Sequence, residues 1–131
     1  EAARARALPE AARFFAAGAV AEAAISVMIG GARVAGRIDR LVVSDKTVDF
    51  VDFKSDSAPP GTAEEAPDAY LAQMAAYRAA LAGIYPGRLI AAHILWTAAP
   101  RLDRIGDARL DEALTDLGRG VARLDPERGA P

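Results

Sequence analysis

The hydrophobic period of this chain changes once, and that change constrains the fold more than any other feature. Between Glu22 and Lys54 apolar residues recur at alternate positions, the spacing of half-buried strands. From Asp68 they recur at intervals of three and four, the spacing of a helix face. A first strand is expected over Glu22–Ile29, beginning at Glu22, where Ile25, Val27 and Ile29 alternate, and Gly30-Gly31 is a hairpin signal. A second strand is expected over Arg33–Val43, with Val34, Ile38 and Val42 on one parity and Arg37, Asp39, Leu41 and Val43 on the other. Ser44–Thr47 is polar and turns the chain, and Thr47–Lys54 reads as a third strand. Hairpin connections make these three an antiparallel meander.

The rest of the pattern completes an α/β order. Glu1–Leu8 favours helix, Pro9 starts a short turn through Phe15, and Gly18 ends it, giving a helical lead-in over 1–17. Ser55–Pro67 is a loop, with a turn capped by Thr62 ahead of Glu65. Asp68 suits the N-cap of a helix that Pro86-Gly87 stops. Leu71, Met74, Ala75, Arg78 and Leu81 trace one stripe of that helix, and Tyr70, Gln73 and Tyr77 trace its neighbour. Arg88–Thr97 reads as a strand buried on both faces after a crossover helix, and Arg101–Ile105 as a short edge strand. Asp107 to about Val121 is an amphipathic helix carrying Leu110, Leu114, Leu117 and Val121 on one side, followed by a frayed tail over 125–131. The expected order is αβββαβ(β)α: a mixed sheet flanked by helices.

Composition excludes several kinds of chemistry. The 131 residues suit one domain with a real core, and 52% hydrophobic content argues against disorder. With no cysteine there is no disulfide, thiolate metal site or cysteine nucleophile. No apolar run approaches the ~20 residues that cross a bilayer, so a cytoplasmic protein with no membrane partner is expected. A net charge of -2 argues against a general nucleic-acid patch but leaves room for an acidic, metal-binding site. Of the 16 basic residues only Lys46 and Lys54 are lysines, and Lys54 stands beside Asp52. The chain opens on Glu1 within an Ala/Arg-rich run, which reads as a piece of a longer protein.

Asp39, Asp52 and Lys54 are the residues a plain sheet has no reason to carry. Strand interiors disfavour Asp, and an unpaired buried charge is expensive. Period two places Asp52 and Lys54 on one face near the strand's end, and the hairpin brings Asp39 from the preceding strand. Magnesium is held by one or two carboxylates with water and substrate phosphate, so Asp39, Asp52 and the backbone carbonyl of Phe53 form a candidate metal site. Lys54 would orient the attacking water or stabilise developing charge. Glu22 is a candidate third carboxylate. Gln73 and Tyr77 are candidates to hold phosphate and contact DNA. The bland alternatives are an Asp39 pair with Arg37 or Arg40, a surface Asp52–Lys54 pair, a strand-end surface acid at Glu22, and helix-interface roles for Gln73 and Tyr77. His93 and Trp96 read as core. No nucleophile-elbow serine or Gly-rich phosphate loop is present, so the chain has no ATP motif of its own.

Gly36-Arg37-Ile38-Asp39-Arg40-Leu41, Val51-Asp52-Phe53-Lys54-Ser55 and Gln73-Met74-Ala75-Ala76-Tyr77 resemble the PD-(D/E)XK nuclease domain of the RecB/AddA family. They are most similar to the C-terminal nuclease domain of AddA-type helicase–nuclease subunits. Ala21-Glu22, Tyr85-Pro86-Gly87 and Leu95-Trp96-Thr97 share the likeness. The resemblance implies a restriction-endonuclease-like fold and metal-ligand roles for Glu22, Asp39 and Asp52. For Lys54 it implies the catalytic lysine role, and it matches Gln73 and Tyr77 to the helix motif that follows the core. It implies a Mg2+-dependent DNA exonuclease or endonuclease, with Mn2+ as a substitute. Such a domain acts on single strands from unwound duplex ends in a bacterial cytoplasm, beside an AddB-type subunit, in double-strand break repair by homologous recombination. ATP enters only through helicase domains. Ser55 stands where the family usually has threonine. The family's upstream helix with a metal-site histidine has no counterpart before Glu22, so a single nuclease domain over 1–131, truncated on its N-terminal side, is expected. A nuclease-like scaffold or DNA-end-holding module without activity, and a small stand-alone nuclease, are the competing readings.

Overall fold

The computed structural model describes the backbone of residues 2–124 and the side chains of 3–120. The tail expected over 125–131 and the side chain of Val121 lie outside the described residues. The sheet has five strands in sequence order: β1 (Val20–Ile29), β2 (Ala32–Val43), β3 (Thr47–Lys54), β4 (Leu89–Trp96) and β5 (Arg101–Ile105). β1–β2–β3 is an antiparallel meander, β4 runs parallel to β3, and β5 returns antiparallel to β4. Gly30 and Gly31 both hold positive φ (57° and 82°), which the tight β1–β2 hairpin requires and glycine allows.

A parallel neighbour needs a crossover, and helix α2 (Asp68–Ile84) supplies it between β3 and β4. Asp68 is the first helical residue, not the cap: Pro67 occupies the cap position and Asp68 places its charge in the first turn instead. Thr62 does precede a short turn (Ala63–Glu65), but its hydroxyl bonds the Glu65 carboxylate at 2.9 Å and caps no backbone N–H. Helix α3 (Asp107–Leu124) lies beside α2, docked through Leu110 and Leu114 and through Arg78, which is ion-paired to Asp107 and Asp111. Arg78 thus leaves the apolar stripe to join the helices at their polar rim.

The sheet separates two cores. On the α2 face Ile25, Ile38, Leu41, Val48, Phe50, Ile94 and Trp96 pack against Leu71, Met74 and Leu81. On the other face α1 (Ala2–Arg6) and a 3-10 turn (Pro9–Phe15) bring Ala5, Ala11 and Phe14 onto Val51 and Leu95. β3 and β4 are covered on both faces, as their apolar runs require. Trp96 is fully buried and its indole N–H bonds Asp103 at 2.9 Å. His93 is buried against Phe14, with Nδ1 at 3.1 Å from the Phe50 carbonyl, so it is a core histidine. Burial lowers its pKa and keeps it neutral.

One expectation fails in an informative place. Strict alternation puts Ile38 and Val42 on one face of β2. In the structure Ile38 and Leu41 share the α2 core while Val42 packs on the opposite one. The alternation therefore breaks between Ile38 and Arg40, at Asp39. On the neighbouring strand Ala21 pairs with Arg40 and Ala23 with Ile38, which leaves Glu22 opposite Asp39. Glu22 holds φ at 53°, the left-handed region that non-glycine residues avoid. It is the third residue of β1 rather than its start. Both strands are thus distorted at one level of the sheet, and the two residues there are acids.

Candidate active site

The site forms where β2 and β3 part. Their ladder ends at Arg40–Val51, so Asp39 and Asp52 stand on strands that have begun to diverge. An N–H of β3 that loses its strand partner needs another acceptor. Asp39 provides it: its Oδ2 accepts the Phe53 N–H at 2.7 Å. In extended backbone a residue's N–H and C=O point to one side, so the Phe53 carbonyl opens toward the same gap.

Asp52 and Lys54 project from β3 toward α2, as period two predicts. Asp52 is 5% exposed, and Lys54 Nζ lies 2.7 Å from its Oδ2. The surface ion-pair alternative is therefore excluded. The same ammonium donates to Gln73 Oε1 at 2.7 Å, and Gln73 Nε2 donates to the Tyr77 hydroxyl at 3.0 Å. One connected chain runs Asp52–Lys54–Gln73–Tyr77. Two of the lysine's three donors are engaged, which leaves one for a ligand. Tyr77 sits tightly over β2: a Cβ at Gly36 would stand 2.7 Å from its ring and its hydroxyl. That close approach explains the glycine that opens Gly36-Arg37-Ile38-Asp39.

Tyr70 completes the pocket and was not singled out by spacing alone. Its ring centroid lies 4.3 Å from Lys54 Nζ, and its hydroxyl donates to Asp56 at 2.7 Å. The signal was in the sequence: Tyr70, Gln73 and Tyr77 fall three and four apart on one helix face. Neither Arg37 nor Arg40 pairs with Asp39, and Arg40 instead lies over the Phe15 ring on the far side of the sheet.

Charge explains what the site lacks. Burial raises the Asp52 carboxyl to about 6; Lys54 pulls it down and Asp39 pushes it up. Lys54 pairs with Asp52, and Asp39 has no cation partner among the described residues, so the ionised site is short of positive charge. Glu22 stands across from Asp39 with its side chain exposed. Among the described residues no three acids or histidines are already drawn into a metal cluster.

The model of one family, the PD-(D/E)XK nuclease superfamily, matches residues 1–121. The chain belongs to the PD-(D/E)XK nuclease superfamily. Its mixed five-stranded sheet with flanking helices is that superfamily's fold, and a nuclease-type domain is what the match establishes. The crystal structure of a "Putative exonuclease" from Eubacterium rectale superposes with a TM-score of 0.72 at 16% identity, over 98% of this chain and 52% of that one. At that identity the likeness concerns the fold. The structure of SSO0001 aligns at 15% identity over 76% of this chain and 50% of that one, with a TM-score of 0.43 that carries no weight. This chain spans about half the length of both. No curated protein matches it.

Members of the PD-(D/E)XK superfamily generally use divalent metals. The donors here fit one: two hard carboxylates and a carbonyl, with a deficit of positive charge between them. Among the described residues no helix is long and apolar enough to cross a membrane.

Proposed function

We propose that this PD-(D/E)XK domain hydrolyses DNA phosphodiester bonds with Mg2+, for which Mn2+ substitutes. The observation that carries this reading is the half-buried Lys54 ammonium, fixed between Asp52 and Gln73 at the point where two strands open. Asp39 and Asp52, with the Phe53 carbonyl and Glu22 reaching from β1, would hold the cation. When bound, the cation supplies Lewis acidity toward the phosphate and acidifies water. Asp39 fixes the Phe53 peptide through its N–H and so sets where that carbonyl points. Lys54 presents a pre-oriented donor to a phosphate oxygen or to the attacking water, in a water-poor pocket where that donor is strongest. Gln73 and Tyr77 keep the ammonium in place, and Tyr70 excludes water beneath it.

The resemblance of Gly36–Leu41, Val51–Ser55 and Gln73–Tyr77 to AddA-type subunits supports a finer reading. The substrate is then a single strand released by a helicase, beside an AddB-type subunit, during double-strand break repair in a bacterial cytoplasm. ATP belongs to the helicase domains of such an enzyme. An inactive scaffold fits the site poorly. It would keep an ionised carboxylate where burial disfavours it, at roughly 3 kcal/mol for a carboxyl raised from 3.8 to about 6, with no return in binding or catalysis.

The test is cleavage of a labelled single strand by the wild type, Asp52→Asn and Lys54→Ala in Mg2+. Each substitution should lower kcat by a factor of at least ~100. Within a longer helicase-containing protein, ATP-driven unwinding should survive both. Cleavage undiminished in both variants overturns the assignment.

A further inference from the structure

Behind the carboxylates, on the other face of the sheet, two arginines have no carboxylate partner among the described residues. Arg6 from α1 and Arg40 from β2 both lie over one ring: their Cζ atoms are 4.6 and 5.2 Å from the Phe15 centroid. The two charges are therefore held less than about 10 Å apart. Neither makes an ion pair or hydrogen bond among the described residues, whereas half-buried arginines elsewhere in the chain mostly find acids. Arg78, Arg101 and Arg109 all do. Phe15 in turn stacks on Phe53, with centroids 5.8 Å apart and planes at 20°. These residues, with Leu95 and Thr97, line a cavity of about 170 Å3.

The cavity shares its backbone with the site. Arg40 follows Asp39, Phe53 lies between Asp52 and Lys54, and Thr97 donates from its N–H (2.8 Å) and hydroxyl (3.3 Å) to the Lys54 carbonyl. It opens at the end of β3 where the carboxylates sit. Two like charges held on one ring repel each other, and an anion between them relieves that repulsion. Guanidinium forks stacked on aromatic faces keep their N–H edges turned outward, the geometry that grips phosphate in two places.

We propose that Arg6 and Arg40 bind a backbone phosphate of the substrate strand neighbouring the scissile one, with Phe15 as the platform that aims them. The inference rests on the nuclease reading and adds a subsite to it. A strand crossing the end of β3 then contacts Lys54 on one face of the sheet and the arginine pair on the other. The arginines anchor the strand and do not act on the bond that breaks.

The test uses the full chain and a fluorescein-labelled single-stranded 20-mer. Anisotropy in EDTA gives Kd across a NaCl series, and Mg2+ assays give kcat and KM. Arg6→Gln/Arg40→Gln should weaken binding ~10- to 100-fold at low salt. Its log–log salt slope should be shallower by about 0.7, the contribution of the one phosphate that the pair neutralises on a single strand. KM should rise in parallel while kcat stays within about threefold. Arg6→Gln alone, on an exposed helix position, should weaken binding ~3- to 10-fold and covers the case in which the double variant folds poorly. A folded double variant with wild-type Kd and salt slope, or one altered only in melting temperature, overturns the subsite and leaves the nuclease reading standing. Undiminished cleavage by Lys54→Ala removes the nuclease reading whatever the arginines do.

Discussion

Asp52→Asn should make the domain more stable at neutral pH while removing its activity. At pH 7.5 the wild type holds Asp52 ionised, although burial and Asp39 have raised its carboxyl from 3.8 to about 6. That difference corresponds to roughly 3 kcal/mol against the charged form. Asparagine has the shape of the protonated acid, and its amide oxygen still accepts from Lys54, which also keeps Gln73 and the Tyr70 ring. Part of the Lys54 attraction is lost, so a net gain of about 1–3 kcal/mol is expected. For a chain of this size that is a rise in Tm of roughly 3–10 °C. Urea titrations in EDTA at pH 7.5 measure it directly. The sign of the pH dependence gives a second reading. A raised folded-state pKa means that the native protein binds this proton more tightly than the unfolded chain does. The wild type therefore gains stability from Asp52 as pH falls from about 6 toward 3.8, and the asparagine variant does not. The gap between the two proteins should close by pH 4. Added Mg2+ should reverse the order at neutral pH, because only the wild type keeps both carboxylates; at a thousandfold excess over Kd the wild type gains about 4.1 kcal/mol. An asparagine variant that is less stable at pH 7.5, or a gap that ignores pH, would refute the reasoning.

Two further substitutions separate geometry from chemistry. Glu22→Gly should raise stability in EDTA by about 1 kcal/mol, because it relieves a left-handed backbone at φ 53°, yet weaken Mn2+ binding in calorimetry. Gly36→Ala should lower stability by about 1–3 kcal/mol in urea titrations, since its methyl would stand 2.7 Å from the Tyr77 ring. It should also reduce kcat without touching any acid, as Tyr77 shifts Gln73 and Gln73 shifts Lys54.

Much of the fold was legible because each element announces itself locally. The third strand's bounds, Thr47–Lys54, follow from period two between polar turns, and the structure returns the same bounds. Helix α2 and strand β4 follow from the change of period and the apolar run. Counting residues along a strand also puts Asp52 and Lys54 on one face, and that holds because β3 stays paired with β4 along its whole length. The same counting fails on β2. There Ile38 and Leu41 share a core because the strand turns over at Asp39, where β1 is distorted at Glu22.

The sequence by itself determined which residue types carry the chemistry and in what order their elements come. A buried acid two residues before a lysine, and a glutamine and tyrosine four apart on a helix, are local facts of spacing. Tertiary structure alone decided what those groups do to one another. It spent the Asp39 carboxylate on the Phe53 N–H, which is orphaned only because β2 and β3 diverge. It drew Tyr70 under Lys54, and it turned Arg40 away from Asp39 to the Phe15 ring. Each depends on where distant segments cross, and burial by those segments raises Asp52. Periodicity records which way a side chain faces along its own strand, whereas the partner it meets there is set by the packing of the whole chain.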